Sequence, residues 1–267
     1  MLVEFTKMNG AGNDFVMIDN RELGLELTTE QIQKICHRQR GVGADGILLL
    51  RLAKGDADLG WDFFNQDGSE GEMCGNGARC FARFAQRHLD GREVLSFETL
   101  AGVIEARLDG ESVTVGLTPP LDFRIGDRID TSSGKLEIHS VNTGVPHAVL
   151  FVDDADAAMV SKLGHEIRHH DHYAPAGTNV NFAQRTGDSS IRVRTYERGV
   201  GETLACGTAA AAAALITAKL DKCGSPVSVR VLGGDDLAVA FERDGDVFTN
   251  VQLTGPAEFV YSGQIDI

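Results

Sequence analysis

Positive charge is scarce in this chain: 25 Lys and Arg stand against 39 Asp and Glu, giving a formal net charge of −14 and a pI near 4.9. Such a surface repels phosphate backbones and anionic lipid, so neither nucleic acid nor a membrane is an expected partner. Long apolar runs are also missing, and nothing approaches the ~20 residues that a spanning helix requires. The opening MLVEFTKMNGAGNDF carries Glu4 and has no basic segment followed by an apolar one. No secretory signal is therefore expected, and the cytoplasm is the expected location. There is no C-x-x-C pair among Cys36, Cys74, Cys80, Cys206 and Cys223. An odd number without close pairs suggests neither a disulfide framework nor a zinc ribbon, and free thiols in a reducing compartment are the simpler expectation.

What the chain does contain is a repeat. At 267 residues it has room for two domains of about 130 residues each. EMCGNGARCFARFA at 72–85 matches LACGTAAAAAALIT at 204–217, which sets Cys74 and Cys206 132 residues apart. Gly102 and Gly234 show the same spacing, and Asp14 and His147, in the openings KMNGAGNDFVMID and VNTGVPHAVLFVD, lie 133 apart. The pattern is interrupted around Pro119-Pro120, which suggests halves at residues 1–120 and 121–267. Alternating segments at 103–115 and 238–251, with turns at Asp109-Gly110 and Asp244-Gly245, predict antiparallel strands. A helix is predicted from Leu27 to Arg38 behind a Thr28-Thr29 cap, and the alanine run after Cys206 predicts a tightly enclosed one. The expected fold is α+β, with two pseudo-symmetric halves, each a curved, barrel-like antiparallel sheet wrapped around a central helix.

The chemistry follows from the duplicated cysteines. Cys74 precedes Gly75-Asn76-Gly77 and Cys206 precedes Gly207-Thr208, which sets each thiol just before the first turn of a helix. Unpaired backbone N–H groups and the positive dipole end lower a thiol pKa there and offer a cradle for a carboxylate. If the halves pack about a pseudo-twofold axis, both helix starts face one cleft and the thiols reach one carbon from opposite sides. One thiolate then removes an α-proton and the other thiol returns a proton to the opposite face, with no metal or organic cofactor formally required. A single free cysteine would read as a small buried hydrophobe, as Cys36, Cys80 and Cys223 do, since they have no duplicated counterpart. Acyl transfer by a Cys–His pair, with His147 in a turn activating a thiol, is the rival chemistry, and it uses only one cysteine.

Four motifs now add to this. KMNGAGNDF at 7–15, FNQDGSEGEMCGNGARC at 64–80, GTNVNF at 177–182 and YERGVGETLACGT at 196–208 closely resemble those of the diaminopimelate epimerases, along essentially the whole chain. That family interconverts LL- and meso-diaminopimelate on the way to lysine and peptidoglycan, without pyridoxal phosphate or metal. The resemblance implies that Cys74 and Cys206 are the acid/base pair and that His147 and Glu197 tune the thiols. It implies substrate contacts at Asn13, Asn65, Asn179, Glu197 and Arg198, and around the reacting carboxylate at Gly75, Asn76, Gly207 and Thr208. A homodimer is implied too, with Tyr261 at the subunit contact. These roles suit a substrate with an ammonium and a carboxylate at each end, because amides both donate and accept and Arg grips a carboxylate bidentately. The chain departs from the family at Val145, where Asn is usual before Pro146-His147, and at Gly46, where Gln is frequent. Asn142 is the candidate to take over the role of the first.

Two further patterns are expected to be misleading. His165-Glu166-Ile167-Arg168-His169 matches the zinc-protease H-E-x-x-H, but in a polar stretch unlike the buried helix such a site requires. Gly10-Ala11-Gly12 opens like a dinucleotide fingerprint without its third Gly or its long helix. Two other functions stay open: a two-cysteine proline or hydroxyproline racemase, against which Asn13, Asn179 and Arg198 argue, and a silent amino-acid-binding relative, against which both cysteines argue.

Overall fold

A computed structural model describes all residues 1–267. In chain order the elements are β1 (Leu2–Gly10), β2 (Asn13–Asp19), α1 (Thr29–Cys36), β3 (Gly46–Arg51), β4 (Leu59–Asn65), α2 (Gly75–Gln86), β5 (Val94–Thr99), β6 (Gly102–Asp109) and β7 (Ser112–Gly116). There follow β8 (Leu121–Thr131), β9 (Gly134–Asn142), β10 (Pro146–Phe151), α3 (Val160–Arg168), β11 (Asn179–Gly187), β12 (Ser190–Glu197), β13 (Gly201–Thr203) and α4 (Gly207–Lys219). The chain closes with β14 (Val227–Arg230), β15 (Asp236–Asp244), β16 (Val247–Pro256) and β17 (Glu258–Asp266). Two compact units result, one of Met1–Val115 with Gly255–Ile267, the other of Gly116–Thr254.

In the first unit the strands pair in the order β17, β1, β2, β3, β4, β5, β6, β7. In the second the order is β8, β9, β10, β11, β12, β14, β15, β16, with β13 paired to the other end of β12. Position by position the two orders match, and so do the strand directions. The repeat read from the cysteine motifs is thus a repeat of strand order. One strand departs from a division at residue 120: β17, last in the chain, pairs along β1 from Leu2↔Asp266 to Asn9↔Glu258.

The sheets are mixed rather than purely antiparallel, and neither closes into a barrel. β2–β3 and β4–β5 run parallel in the first unit, as do β10–β11 and β12–β14 in the second. A parallel neighbour needs a crossover, usually helical, and α1, α2, α3 and α4 lie in these four connections. Alternation of apolar and polar residues reports which face a side chain takes and carries no strand direction, so the sequence pattern did not distinguish the two.

Each unit encloses one helix. α4 has eleven of its thirteen residues buried and packs on β9, β10, β11, β12, β14 and β15. A helix apolar on every side must be enclosed, and its six consecutive alanines keep it slim enough for strands to surround. α2, with ten of twelve residues buried, packs on β1, β2, β3 and β6. It approaches β1 so closely that a Cβ on Gly10 would stand 2.9 Å from the Asn76 carbonyl oxygen and 3.0 Å from Cys80 Sγ. α1 and α3 bury one face only, Ile32, Ile35 and Cys36 in the first and Val160, Leu163 and Ile167 in the second. α1 begins at the Thr28 cap, where Thr28 and Gln31 satisfy each other's backbone N–H in a capping box.

Candidate active site

Cys74 and Cys206 are the N-cap residues of α2 and α4, with nearly identical extended backbones at φ −142°, ψ 116° and φ −135°, ψ 117°. Neither helix has an acidic residue in its first turn, so no carboxylate of its own neutralises the positive end. Cys74 Sγ accepts a hydrogen bond from the Gly77 N–H at 3.4 Å. Cys206 Sγ lies 3.4 Å from Thr208 Oγ1, and the Thr208 carbonyl accepts from Thr143 Oγ1 at 2.9 Å. The other thiols are of a different kind: burial pushes Cys36 and Cys80 up to about 12 and raises Cys223.

Around Cys74 the structure gathers two of the expected residues. The thiol donates to Asn13 Oδ1 at 3.7 Å, and Asn76 Nδ2 points to the same oxygen at 3.4 Å. Asn76 is held from behind by Arg79, a fully buried side chain whose Nη2 donates to Asn76 Oδ1 at 3.0 Å. Asn13 Nδ2 donates to Asp45 Oδ2 at 2.6 Å. Asp45 belongs to a charged group with Arg38, Asp14 and Lys7. Burial would raise the Asp14 carboxyl, but hydrogen bonds from Arg38 and Lys7, together with their charges, outweigh it and hold the pKa at about 2. Asp45 is raised, by burial first. Asn65 is not part of this network; its amide donates to Ser69 Oγ at 3.1 Å. Gly46 is the register partner of Asn65, and a Cβ there would meet the Phe64 carbonyl at 2.7 Å and the Phe63 ring at 2.9 Å. The space a longer side chain would need is already filled.

The remaining expected active-site residues belong to the second unit. His147 is a strand residue of β10, 1% exposed, rather than a turn residue. Burial, and then the charge of Arg198, lower its pKa to about 3, so the ring is neutral at neutral pH. Asn179 is its register partner on β11 and accepts the Arg198 backbone N–H on Oδ1 at 2.9 Å. Glu197 Oε1 accepts from Thr203 Oγ1 at 2.6 Å, across the β12–β13 hairpin. Asn142 Oδ1 accepts the Gly144 N–H at 3.0 Å inside its own turn.

Motif reading missed Asp45, Asn181 and Thr203, which bond the side chains of Asn13, His147 and Glu197, and Thr143, which bonds the Thr208 carbonyl. Asp45 had a usable signal: it stands immediately before β3 and bonds to Asp14, whereas Asn179 opens β11 beside His147, so extending the repeat by one strand finds it. The two misleading patterns take ordinary places. Ala11 and Gly12, with φ of 59° and 90°, form the two-residue hairpin between β1 and β2, and no helix follows. His165 on α3 and His169 at its C-cap are exposed, and the intervening Glu166 carboxylate accepts from the Ser132 N–H and hydroxyl at 2.6 and 2.7 Å.

The diaminopimelate epimerase family model matches residues 5–121 and 139–260, which include both cysteine motifs. The chain belongs to the diaminopimelate epimerase family. It is 44% identical over 275 residues to the diaminopimelate epimerase of Hydrogenobaculum sp., covering 97% of each chain. Identity is 43% over 267 residues with that of Chlorobaculum tepidum, covering 97% of this chain and all of the other. Solved structures outside this family share the fold. A hydroxyproline epimerase from Agrobacterium vitis superposes with a TM-score of 0.73 at 17% identity, over 99% of this chain and 92% of that one. A PhzF-family protein from Bacillus anthracis gives 0.75 at 16% over the whole of both chains.

Proposed function

We propose that this protein interconverts LL- and meso-diaminopimelate by a two-base mechanism, with Cys74 and Cys206 as the paired base and acid. The observation that carries this is the matched pair of thiols, each an N-cap with the same backbone conformation at equivalent places in a repeated fold. A thiolate on a helix N-cap is stabilised by the positive end of that helix. One thiolate takes the α-proton, the electron pair moves onto the substrate carboxylate, and the other thiol delivers a proton to the opposite face of the carbon. The N–H groups of Gly75, Asn76, Gly207 and Thr208 stabilise the charge that develops on that carboxylate. Asn13, Asn65, Asn179 and Arg198 hold the amino-acid group that does not react, Arg198 through its carboxylate, while His147 and Glu197 tune the thiols. On this reading the protein serves a cytoplasmic biosynthetic route to lysine and cell-wall precursors.

Incubation of reduced protein with LL-diaminopimelate in D2O tests the reading. The expected result is α-deuterium incorporation together with the meso form, lost in Cys74→Ala and Cys206→Ala variants that keep the wild-type circular dichroism. Absence of exchange in the wild type would overturn it. Turnover of proline or hydroxyproline instead would align the activity with the relatives that share only the fold. A homodimer through the face of Tyr261 accompanies this proposal; that side chain is 47% exposed on β17, its ring edge-on to Phe5. Sedimentation of wild type and Tyr261→Ala would show dimer and weakened dimer respectively.

A further inference from the structure

His147, Asn181 and Thr195 sit on three adjacent strands, β10, β11 and β12, and are 1%, 0% and 5% exposed. Asn181 lies between the other two. Its side-chain nitrogen is 2.9 Å from the Ala148 carbonyl oxygen, which can only accept. The atom facing that carbonyl must therefore be the NH2, and the amide cannot be turned over without setting two acceptors against each other. The opposite atom, Oδ1, accepts from Thr195 Oγ1 at 3.0 Å, which agrees with this orientation. The same NH2 lies 3.2 Å from His147 Nδ1. A donor at that distance requires a lone pair on Nδ1, which places the single ring proton on Nε2. His147 Nε2 is itself fully buried and has no hydrogen-bond partner.

We propose that Asn181 is the positioning residue for His147, locking the imidazole in the Nε2–H tautomer so that it serves the reaction as a hydrogen-bond donor and not as a base. The catalytic part rests on the epimerase reading above. With Nδ1 accepting from Asn181 and Nε2 protonated, neither ring nitrogen offers a free lone pair to a thiol proton. A buried N–H with no acceptor is costly. What such a donor can do is stabilise an anionic acceptor that forms during turnover. The precedent for tautomer control lies in the serine-protease triad, where a neighbouring carboxylate sets the imidazole proton. Here an amide NH2 sets the opposite tautomer.

The test begins with the resting protein. Long-range 1H–15N correlation spectra of 15N-histidine-labelled wild type, with the His147 signals identified by their loss in His147→Gln, are expected to show the Nε2–H pattern. An Nδ1–H or doubly protonated pattern at neutral pH would overturn the proposal. Replacement Asn181→Asp puts an acceptor beside Nδ1 and is expected to draw the proton there. In a variant with wild-type circular dichroism, kcat should fall by roughly 10–100-fold, with KM changed far less. A tautomer moved to Nδ1–H at unchanged kcat would overturn the catalytic role. Should the aspartate variant not fold, the wild-type spectrum decides. Because that spectrum needs no substrate, a protein with Nε2–H but no diaminopimelate exchange would sink the epimerase reading and leave the tautomer assignment standing.

Discussion

Asn13 donates from Nδ2 to Asp45 Oδ2 at 2.6 Å and thereby turns its other amide atom, Oδ1, toward the thiol of Cys74 at 3.7 Å. A carboxylate accepts only, so Asp45 fixes which end of Asn13 the thiol meets. An acceptor beside the thiol holds the S–H proton in place, and the same acceptor binds the NH2 of Asn76.

Replacing Asp45 with Asn removes that constraint. The new amide can donate as well as accept, so Asn13 is free to reverse and present its NH2 to Cys74. The expected outcome is a fall in turnover of roughly 10–100-fold, with native circular dichroism retained. Steady-state assay with LL-diaminopimelate checks it, and unchanged kcat would show that the orientation of Asn13 is immaterial.

His147 makes stability depend on pH in a defined window. An unfolded chain protonates it near pH 6.5, whereas the folded protein does so only at about 3. Between those values unfolding takes up a proton, so the contribution is whole above pH 6.5 and is lost as pH falls, by at most about 1.4 kcal/mol per pH unit. Asp14, with its pKa lowered from 3.8 to about 2, is stabilising above 3.8 and loses that contribution as pH falls through 2, in a lower window. Urea midpoints for wild type should therefore fall more steeply between pH 7 and pH 4 than those of His147→Gln. Parallel curves over the whole range would contradict the burial of a neutral ring.

Gly46→Ala is expected to destabilise by about 1–3 kcal/mol. The added Cβ would meet the Phe64 carbonyl at 2.7 Å, a backbone atom fixed in the β3–β4 ladder, and the Phe63 ring at 2.9 Å. Denaturant unfolding measures the loss. Wild-type stability in this variant would mean that the ladder gives way at little cost.

Thiol labelling should divide the cysteines. Cys36 and Cys80 are buried, with pKa values pushed up to about 12, and are expected to resist iodoacetamide at pH 8 in the folded protein while labelling in urea. Mass spectrometry of tryptic peptides reads the pattern. Rapid labelling of Cys80 in native protein would argue against the close packing of α2 on β1.

Much of this was present in the residue order. The spacing between Cys74 and Cys206, echoed at Gly102 and Gly234, marked a duplicated fold, because equivalent turns need equivalent local residues. The alanine run announced an enclosed helix, and the Cys-Gly turns announced N-caps, because capping and burial act over a few residues and leave local signatures. The supporting side chains were hidden for the opposite reason. Asp45 reaches Asn13 across 32 residues, and Asn181 reaches His147 across 34, through strand neighbours set by parallel pairing. Sequence alone thus determined the repeat, the two thiols and their helix caps, all of them local. Only the tertiary structure decided strand direction, the return of β17 to β1, the orientation of Asn13 and the proton on His147. Each of these depends on which donors and acceptors the fold brings within about 3 Å, and no pattern of spacing along the chain encodes that.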